Sequence, residues 1–473
     1  MKRIVYNYIG IATSIALTIV ILFLNNGIFH NDLDSTEAEH FAERNQQLGL
    51  KIDHFPRWHN VTEGNITHYF YSAFFDIRQS VTKMPHIRIV AVLQQVGSEK
   101  LNTSFACLTW TFRTQTAPLW SAKAHVYTSG QEAPIILTNY GQYILSCPVP
   151  VPVANIPRFV SVRFANTSGS SRLFVWHSEQ ANETFRTTSA ATSGQQRRFL
   201  INCVSVTWNT PNPSRLIEWI ELQRLWQIDH IFIHYIWLDA RVWDVINHYV
   251  HLGVVSVQRM PNPFRQIIGD SNMVQLLLMS AAINDCMYRA IPAFKYIAVF
   301  DLDEFITPAL DATYPELIVR LAAVYSDSNA PFQAKSYSFR NAYFFFDQLR
   351  DQKDADDKLV TQRYLNRVEI SPYGYSVKTI FSVNACIAMQ NHFCWHYIDG
   401  RTFVVDVDVD SRYGLNRHYK WCHFSVKKCS KMLSAKIFRD DNILRFGPEL
   451  QKRVESVTRL LGIDQTQLTS DEE

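Results

Sequence analysis

The distribution of hydrophobic and polar positions divides this chain into segments of different texture. No charged side chain occurs from Ile4 to Phe29. From about residue 69 to about residue 165, short β-branched and aromatic runs are bounded by Pro, Gly, Asn and Ser. Beyond about residue 200, apolar runs typical of strands alternate with segments of helical periodicity. The pattern predicts an apolar N-terminal helix, a β-rich region and an α/β domain, in that order.

The N-terminal apolar run is long enough to cross a bilayer, which takes about 20 mostly apolar residues. Lys2 and Arg3 precede the run and acidic residues follow it, so the positive end is expected to stay in the cytosol. We therefore predict a cytosolic tail at 1–7 and a signal-anchor helix at 8–28, with the rest of the chain in the lumen. A cleaved signal peptide is the alternative, but the run ends in LFLNNGIF, without a small-x-small cleavage site.

Sequons and cysteines agree with a luminal body. Five N-x-Ser/Thr glycosylation sequons all precede residue 190: Asn60, Asn65, Asn102, Asn166 and Asn182. Glycosylation requires an accessible loop, so their clustering predicts an exposed N-terminal region and a compact C-terminal one. The 8 Cys are an even number, compatible with disulfides in an oxidising compartment. Their pairing is not determined by the sequence, and buried free thiols are the alternative for some of them.

The β-rich luminal region is predicted over residues 66–183, between a polar stem at 29–65 and a Ser/Thr/Gly-rich linker at 184–200. Antiparallel strands are predicted in it at 87–96, 105–113, 124–130 and 158–165.

The remaining chain has the pattern of an open, mostly parallel α/β sheet. Strands are predicted at 203–208, 230–237, 254–258 and 296–300, and helices between them at 215–226, 241–251 and 271–290. Ser214 is the predicted cap of the first helix. We assign residues 201–440 to this domain and residues 441–473 to a C-terminal helix followed by an acidic tail.

The fourth predicted strand runs into the sequence FDLDEF at 300–305. Ligands of open α/β sheets bind beyond the carboxyl ends of the strands, which is where Asp301 and Asp303 are expected. In an extended chain these two side chains share one face. Buried carboxylates need a counter-charge, and Mn²⁺ or Mg²⁺ bound to the diphosphate of a nucleotide donor would supply one. The alternative is that one of the two aspartates only caps a turn.

Composition excludes several classes of protein. Hydrophobic residues make up 47% of the 473 residues, which is enough for a sizeable core and excludes a wholly disordered chain. The 46 Lys and Arg nearly balance the 43 Asp and Glu, a poor match for a dedicated nucleic-acid binder. A mean hydropathy of −0.11 is not that of a polytopic membrane protein.

An ordered set of motifs resembles glycosyltransferase family 92. The set comprises YSAFFDIR (71–78), CVSVTW (203–208), IEWIELQRLWQIDHIFIHYIW (217–237), NDCMYR (284–289), FDLDEF (300–305), VKTIF (377–381), CWH (394–396) and RHYK (417–420). The resemblance implies a type II enzyme of the Golgi or endoplasmic reticulum with a GT-A-like fold, a UDP-sugar donor, typically UDP-galactose, and Mn²⁺. Two departures are Gln227, where the family usually has Gly after the helix, and the insertion-like segment 347–358.

Residue roles follow from the motifs. Asp301, Asp303 and His418 are the predicted metal ligands. The predicted substrate-binding residues are Glu304, Lys378, His396 and Lys420. For each of these the structural alternative stays open: a helix-start acid for Glu304, solvated lysines, and packed histidines. An inverting reaction needs a carboxylate base, for which the candidates are Asp347 and Glu369.

The sequence thus predicts a membrane-anchored, metal-dependent hexosyltransferase. The resemblance implies that it transfers a sugar, with galactose as the best candidate, from a UDP-sugar to a glycan or glycoprotein acceptor in the secretory pathway. The alternative is a non-catalytic carbohydrate-binding or adhesion ectodomain on a membrane anchor, supported by the β-rich region and its sequons.

Overall fold

The fold was obtained as a computed structural model. The residues that it describes are 57–78, 83–95, 104–112, 114–129, 139–150, 156–164, 166–178, 197–207, 212–269, 272–325, 335–347, 359–402, 407–422 and 424–463. The predicted anchor, most of the predicted stem, Asn102 and Asn182 lie outside these ranges. Within them, no helix combines the length and the apolar character needed to cross a membrane. The elements described below belong to one compact unit, Arg57–Glu473.

The N-terminal part is a nine-stranded, almost entirely antiparallel sheet, as predicted. Its strands are β1 (His59–Glu63), β2 (Ile66–Asp76), β3 (His86–Gln94), β4 (Phe105–Trp110), β5 (Trp120–Lys123), β6 (His125–Thr128), β7 (Tyr140–Pro148), β8 (Phe159–Phe164) and β9 (Leu173–Trp176). The strand order is β5-β4-β8-β9-β2-β3-β7-β6, with β1 on β2, and β2 pairs parallel with β9. Strand β1 lies inside the segment predicted as stem, so the sheet starts earlier than the composition indicated.

This sheet curls back on itself. A disulfide joins Cys107 of β4 to Cys147 of β7, with their Cα atoms 6.1 Å apart, although four strands separate β4 from β7 in the sheet. The enclosed core includes Ile87, Ile89 and Leu145, all fully buried. The alternation of buried and exposed positions in the short strands reflects this one-sided burial.

The second part is a mixed α/β domain. Its strands are β10 (Arg198–Thr207), β11 (His230–Tyr235), β12 (Val255–Arg259), β13 (Phe294–Ala298), β14 (Glu304–Pro308), β15 (Ser336–Phe339), β16 (Asn341–Phe345), β17 (Asn366–Arg367), β18 (Lys378–Ser382), β19 (Cys386–Met389), β20 (Cys394–Tyr397), β21 (Val407–Val409), β22 (Gly414–Lys420) and β23 (Phe438–Arg439). Its helices are α1 (Pro213–Leu225), α2 (Ala240–His251), α3 (Arg265–Ile268), α4 (Asn272–Ala290), α5 (Tyr314–Val324), α6 (Val360–Arg363), α7 (Val426–Leu433) and α8 (Gly447–Leu461), with a 3-10 helix at Asn442–Phe446.

The central sheet has seven strands in the order β12-β11-β10-β13-β18-β15-β21. The first four are mutually parallel and connected through helices, which confirms the predicted mostly parallel sheet. Strand β18 then pairs antiparallel with both β13 and β15. Strand β10 begins at Arg198, inside the segment predicted as a linker. The order of the first four strands places β10 and β13 side by side, so their carboxyl ends converge at one edge of the sheet.

The first helix is capped differently from the prediction. Asn212 is the N-cap residue of α1, and its Oδ1 accepts a hydrogen bond from the Ser214 amide at 2.9 Å. Ser214 itself lies within the first turn, after Pro213. Asn and Ser are about equally good caps, but Pro at the first helical position fixes which residue takes that role.

A separate three-stranded sheet, in the order β14-β22-β16, stands beside the carboxyl end of β13. Strand β14 pairs antiparallel with β22, and β16 pairs parallel with β22. The predicted C-terminal helix is confirmed as α8, which packs against α1 through a shared hydrophobic core. Helix α8 therefore belongs to the core of the α/β domain.

Helix α4 lies between the two large sheets and shares a core with both. A disulfide joins Cys203 of β10 to Cys286 of α4, with Cα atoms 5.8 Å apart. The YSAFFDIR segment adds hydrogen bonds between the N-terminal sheet and the α/β domain. The Arg78 guanidinium donates to the carbonyls of Val383 at 2.7 Å and Cys386 at 2.8 Å. The N-terminal sheet thereby buttresses the side of the α/β domain formed by α4, β18 and β19.

Candidate functional site

The two aspartates of FDLDEF lie on a turn. Strand β13 ends at Ala298, and the amide of Glu304 donates to the carbonyl of Asp301 at 3.3 Å, closing a turn over Asp301 to Glu304. The expectation that an extended backbone places both carboxylates on one face was therefore wrong. Glu304 is the first residue of β14, which also corrects its alternative role as a helix-start residue.

The Asp301 carboxylate is held by three side chains. Its Oδ2 accepts hydrogen bonds from Lys378 Nζ at 2.9 Å and from Asn391 Nδ2 at 3.1 Å. Its Oδ1 accepts a short hydrogen bond from the hydroxyl of Ser205 on β10. The three partners come from separate parts of the chain that meet at the edge where β10 and β13 end.

Asp303 faces a different strand. Its Oδ2 lies 3.0 Å from Nε2 of His418 on β22, and its side chain is 39% exposed. On the other side of the imidazole, His418 Nδ1 lies 3.4 Å from Oε2 of Glu304, the residue directly opposite in the β14–β22 pairing. Glu304 is buried and also accepts from Asn416 Nδ2 at 2.8 Å. The imidazole is thus placed between an open carboxylate and a buried one.

Lys378 is the cation at the centre of the cluster. It is fully buried at the start of β18, and its Nζ lies 2.9 Å from Asp301 Oδ2, 2.7 Å from Glu304 Oε1 and 2.8 Å from Asn391 Oδ1. A buried ammonium needs such partners, because an uncompensated charge in the interior is costly. The prediction that Lys378 belongs to the site is consistent with this placement; its contact with phosphate stays a prediction.

The surroundings of the three acids shift their pKa values in different directions. Burial opposes ionisation of Asp301, but Lys378 outweighs it and holds the pKa of Asp301 well below the usual value. Burial likewise opposes ionisation of Asp303, and the neighbouring His418 lowers the pKa of Asp303. For Glu304, burial dominates and raises its pKa despite Lys378. Burial lowers the pKa of His418, but Asp303 and Glu304 outweigh it and raise that pKa. Ionisation is thus favoured at Asp301 and Asp303 and opposed at Glu304.

The other predicted substrate-binding residues fall in two places. Lys420 ends β22, two residues after His418, and its charge contributes to the lowered pKa of Asp303. The ring of His396 on β20 packs edge-to-face against Tyr127 of β6, with centroids 5.2 Å apart, so it faces the N-terminal sheet. A substrate role for His396 stays a prediction.

Both candidates for a general base are exposed. Asp347 follows β16, and its Oδ2 accepts a hydrogen bond from the Cys422 amide at 2.7 Å. Glu369 follows Val368, whose amide donates to the carbonyl of Tyr343 on β16. The catalytic role of either residue stays a prediction.

Sequence reasoning missed four polar residues of the site. Ser205, Asn391 and Asn416 contact the acids directly, and Asn341 accepts from Asn416 Nδ2 at 2.8 Å. Asn341 and Asn416 are fully buried within strands. A polar side chain at a buried strand position was the available signal, because such a group needs a hydrogen-bonding partner.

The divalent cation implied by the acids requires several oxygen or nitrogen donors around one point. Among the described residues, no group of three or more His, Cys, Asp or Glu side chains is arranged to hold a metal ion. Asp303 and His418 do form a pair of oxygen and nitrogen donors, and His418 Nδ1, buried without a hydrogen-bond acceptor, points towards Glu304. A carboxylate behind the imidazole is the arrangement that orients histidine ligands. The pair fits a cation that takes its other ligands from diphosphate and water, and metal ligation by Asp301 stays a prediction.

All eight cysteines are paired, which confirms the expectation drawn from their even number. The disulfides are Cys107–Cys147, Cys203–Cys286, Cys386–Cys394 and Cys422–Cys429. Four disulfides indicate a domain that folds in an oxidising, secretory compartment. The described sequon residues Asn60, Asn65 and Asn166 are exposed, as glycosylation requires.

The family model described as Glycosyltransferase family 92 matches residues 198–454, just over half of the chain. The matched region begins at the first residue of β10 and ends within α8, so it contains every residue of the acid cluster. None of the curated proteins searched matches the chain.

Proposed function

The chain belongs to glycosyltransferase family 92, and on that premise we propose that it transfers a hexose from a UDP-sugar to a glycan acceptor with the help of Mn²⁺ or Mg²⁺. Galactose is the first candidate for the sugar. The observation that carries the proposal is the meeting of Asp301, Asp303, Glu304, Lys378 and His418 at the carboxyl ends of β10 and β13. This is the edge at which open α/β sheets bind nucleotides.

Asp303 and His418 are the residues that would hold the cation. Asp303 is partly open to solvent, and its paired imidazole can turn an Nε2 lone pair towards the same space once that nitrogen is deprotonated. Glu304 would accept the Nδ1 proton and so fix the tautomer. When bound, the cation would neutralise the charge that develops on the leaving diphosphate.

Asp301 and Lys378 would position this pair. Because both oxygens of Asp301 are engaged by Ser205, Asn391 and Lys378, the turn that carries Asp303 is held at one end. The buried Lys378 also offsets the negative charge of Asp301 and Glu304. A cluster fixed in this way need not reorganise when the charged donor arrives, which is the condition for electrostatic catalysis.

We further propose that the reaction inverts the anomeric configuration and that an exposed carboxylate acts as the general base. Asp347 is the first candidate, since it is exposed and its carboxylate accepts a hydrogen bond from the amide of Cys422, four residues after His418. Glu369 is the second. Anomer-resolved proton NMR of the product tests the stereochemistry, and retention would remove the need for either base.

The localisation is also part of the proposal. The uncharged run before residue 30 would anchor the chain as a type II protein, with the disulfide-bonded domain in the lumen of the Golgi apparatus or endoplasmic reticulum. Protease protection of the C-terminus in intact microsomes tests this orientation, and digestion without added detergent would contradict it.

The deciding experiment is a donor screen. Full-length protein in detergent is incubated with a panel of UDP-sugars and Mn²⁺, and UDP release is measured without an acceptor. One UDP-sugar should be hydrolysed, EDTA should stop the reaction and Mn²⁺ should restore it. A protein that binds glycans on an array but shows no UDP binding by calorimetry would instead support a carbohydrate-binding ectodomain.

A further inference from the structure

A basic segment follows the candidate metal ligand His418. Residues 420–436 contain five lysines and no Asp or Glu: Lys420, Lys427, Lys428, Lys431 and Lys436. In the described part of the chain none of these lysines forms an ion pair, and the four on or beyond α7 are exposed. Asp347, hydrogen-bonded to the Cys422 amide, offsets one of these charges. The segment is therefore a positively charged surface. Lys420, Lys428 and Lys436 lie over aromatic rings, whereas Lys427 and Lys431 are exposed and take no part in these ring contacts.

This basic segment is fixed next to the acid cluster by a series of contacts. Tyr343 packs on His418 with ring centroids 5.2 Å apart, and Phe424 packs edge-to-face on Tyr343 at 5.5 Å. Lys428 Nζ then lies 3.9 Å from the centroid of Phe424. The Cys422–Cys429 disulfide closes the loop that carries Phe424 and Lys428. Lys428 is therefore connected to His418 by three contacts that run through the rings of Phe424 and Tyr343.

A second route connects Lys428 with the site from the other side. Its Nζ donates to the hydroxyl of Tyr375 at 2.6 Å, and Tyr375 precedes the buried Lys378 by three residues. Three residues span at most about 10 Å, so the backbone of Tyr375 lies within about that distance of the buried Lys378.

The loop that carries Tyr375 exposes aromatic surface. The side chain of Tyr375 is 40% exposed and that of Tyr373 is 52% exposed. Gly374 (φ 78°) and Ser376 (φ 52°) both adopt left-handed backbone conformations, and the Tyr343 hydroxyl holds Ser376 Oγ at 3.1 Å. Glycine adopts this conformation without strain, but Ser376 does not, and strained backbone that is held by neighbours is found at ligand-binding sites. Exposed tyrosines present flat rings on which sugars can stack.

We propose that Tyr375 and the disulfide-closed basic segment 420–436 form the acceptor subsite, and that the acceptor is an anionic glycan carrying a carboxylate, sulfate or phosphate. This inference rests on the proposed function, since it names the acceptor class for the same site. The tyrosine ring would support the sugar and Lys427 and Lys431 would attract its acidic group, while Lys428 would hold Tyr375 in place. The donor diphosphate is the competing source of negative charge.

The test uses full-length protein in detergent and an array of matched glycan pairs. Each pair consists of a neutral oligosaccharide and the same oligosaccharide bearing a uronic acid, sialic acid or sulfate group. The acidic members should be bound more tightly, and the preference should weaken as salt rises. Equal binding of both members, or no binding of either, would overturn the proposal.

Variants assign the binding to this surface. Lys427→Gln with Lys431→Gln should weaken binding of the acidic glycans roughly tenfold, and Lys→Arg at both positions should preserve it. Tyr375→Ala should weaken binding of both members of a pair, whereas Tyr375→Phe, which keeps the ring, should retain most of it. Lys452→Gln on α8 and Phe112→Ala in the loop after β4 are matched exposed controls and should change nothing. Unchanged glycan binding in Tyr375→Ala would also overturn the proposal.

Donor measurements separate this inference from the proposed function. UDP binding with Mn²⁺ is measured on the same variants by calorimetry, and it should be unaffected. Weakened UDP binding in the lysine variants would show that these lysines bind the donor. That result would overturn the acceptor assignment and leave the proposed function intact. Absence of UDP binding in the unsubstituted protein would instead overturn the proposed function.

Discussion

Asp303 Oδ2 lies 3.0 Å from Nε2 of His418, although 115 residues separate the two in the chain. The contact joins the turn after β13 to β22, and it leaves Asp303 partly open to solvent. Two donors of different chemistry therefore meet at the edge of the sheet where a nucleotide is expected. The proposed reaction depends on this pair, so it is the first to test.

Asp303→Asn should reduce transfer by on the order of 100-fold or more, because an amide loses the charge that binds the cation and faces the diphosphate. Its melting temperature should stay close to that of the unsubstituted protein, since the side chain is partly exposed. UDP release and thermal denaturation measure the two effects. Asp410→Asn, which removes an exposed carboxylate paired with Arg412, is the matched control and should leave activity unchanged. Full activity of Asp303→Asn would contradict the assignment.

Lys378→Met should unfold the domain much more readily. The change leaves Asp301 and the buried Glu304 without their ammonium partner, and breaking a buried pair in this way costs about 3–5 kcal/mol. Denaturant titration followed by tryptophan fluorescence measures the loss. Lys335→Met removes a partly exposed ion pair with Asp399, for which about 0–1 kcal/mol is expected. Equal losses of unfolding free energy in the two variants would show that the ion pairs of Lys378 stabilise the fold no more than a partly exposed ion pair does.

The local elements of the α/β domain were predictable from sequence because its four parallel strands are continuous apolar runs separated by helical patterns. The turn chemistry was less accessible. FDLDEF was correctly placed after the fourth strand, but Val299 and Phe300 already lie beyond β13, and the two aspartates lie on a turn. Period-two reasoning applies only while the backbone stays extended.

The partners of the acids could not be predicted, for a physical reason. Lys378 reaches Asp301 because β18 pairs antiparallel with β13, and hydrophobic patterning does not specify which strands become neighbours. Ser205 and Asn416 are short polar side chains within strands, a pattern shared by many structural positions. Their roles follow from pairing across the sheets, which only the three-dimensional arrangement supplies.

The stability of the N-terminal sheet should fall in mild acid because of His68. This residue is fully buried between Phe105 and Phe164, its Nδ1 accepts from the Gln94 amide, and burial lowers its pKa from 6.5 to about 4. Between these values the unfolded chain binds the proton more readily, so the free energy of unfolding decreases as pH falls from about 6.5 towards 4.

The variant His68→Gln isolates this contribution. It should reduce the slope of unfolding free energy against pH by up to about 1.4 kcal/mol per pH unit within that window. Other buried histidines, such as His230, should leave a remaining slope that both proteins share. Denaturant titrations at pH 4.5, 5.5 and 6.5 measure the difference. Parallel curves for the two proteins would contradict the prediction.

Two of the disulfides should differ in their contributions to stability and to acceptor binding. Removing Cys203–Cys286, with a sequence separation of 83, is expected to cost about 4.5 kcal/mol, whereas removing Cys422–Cys429, with a separation of 7, costs about 2.4 kcal/mol on the same loop-entropy scale. The second pair fixes the basic segment beside His418, so its double Ala variant should lose acceptor binding before it loses fold. Melting temperatures and glycan binding of the two double variants separate the effects. A larger thermal loss for Cys422–Cys429 would contradict this ranking.

Gln227 is a position where a simple substitution should stabilise the protein. It follows α1, its amide donates to the Arg224 carbonyl at 3.1 Å, and its φ of 61° places it in the left-handed region, where glycine is the usual helix-terminating residue. Gln227→Gly should raise the free energy of unfolding by about 0.5–1 kcal/mol, because the relieved backbone strain of about 1–2 kcal/mol exceeds the entropic cost of glycine, about 0.5–1 kcal/mol.

The control for Gln227→Gly is the same exchange where the backbone is helical. Gln451→Gly within α8 should lower stability by about 1 kcal/mol, since glycine is unfavourable in the interior of a helix. Gln227→Ala, which keeps a Cβ in the left-handed conformation, should give little or no gain. Denaturation midpoints of the three variants therefore form a set with opposite signs. A loss of stability in Gln227→Gly as large as that in Gln451→Gly would show that the end of α1 carries no backbone strain.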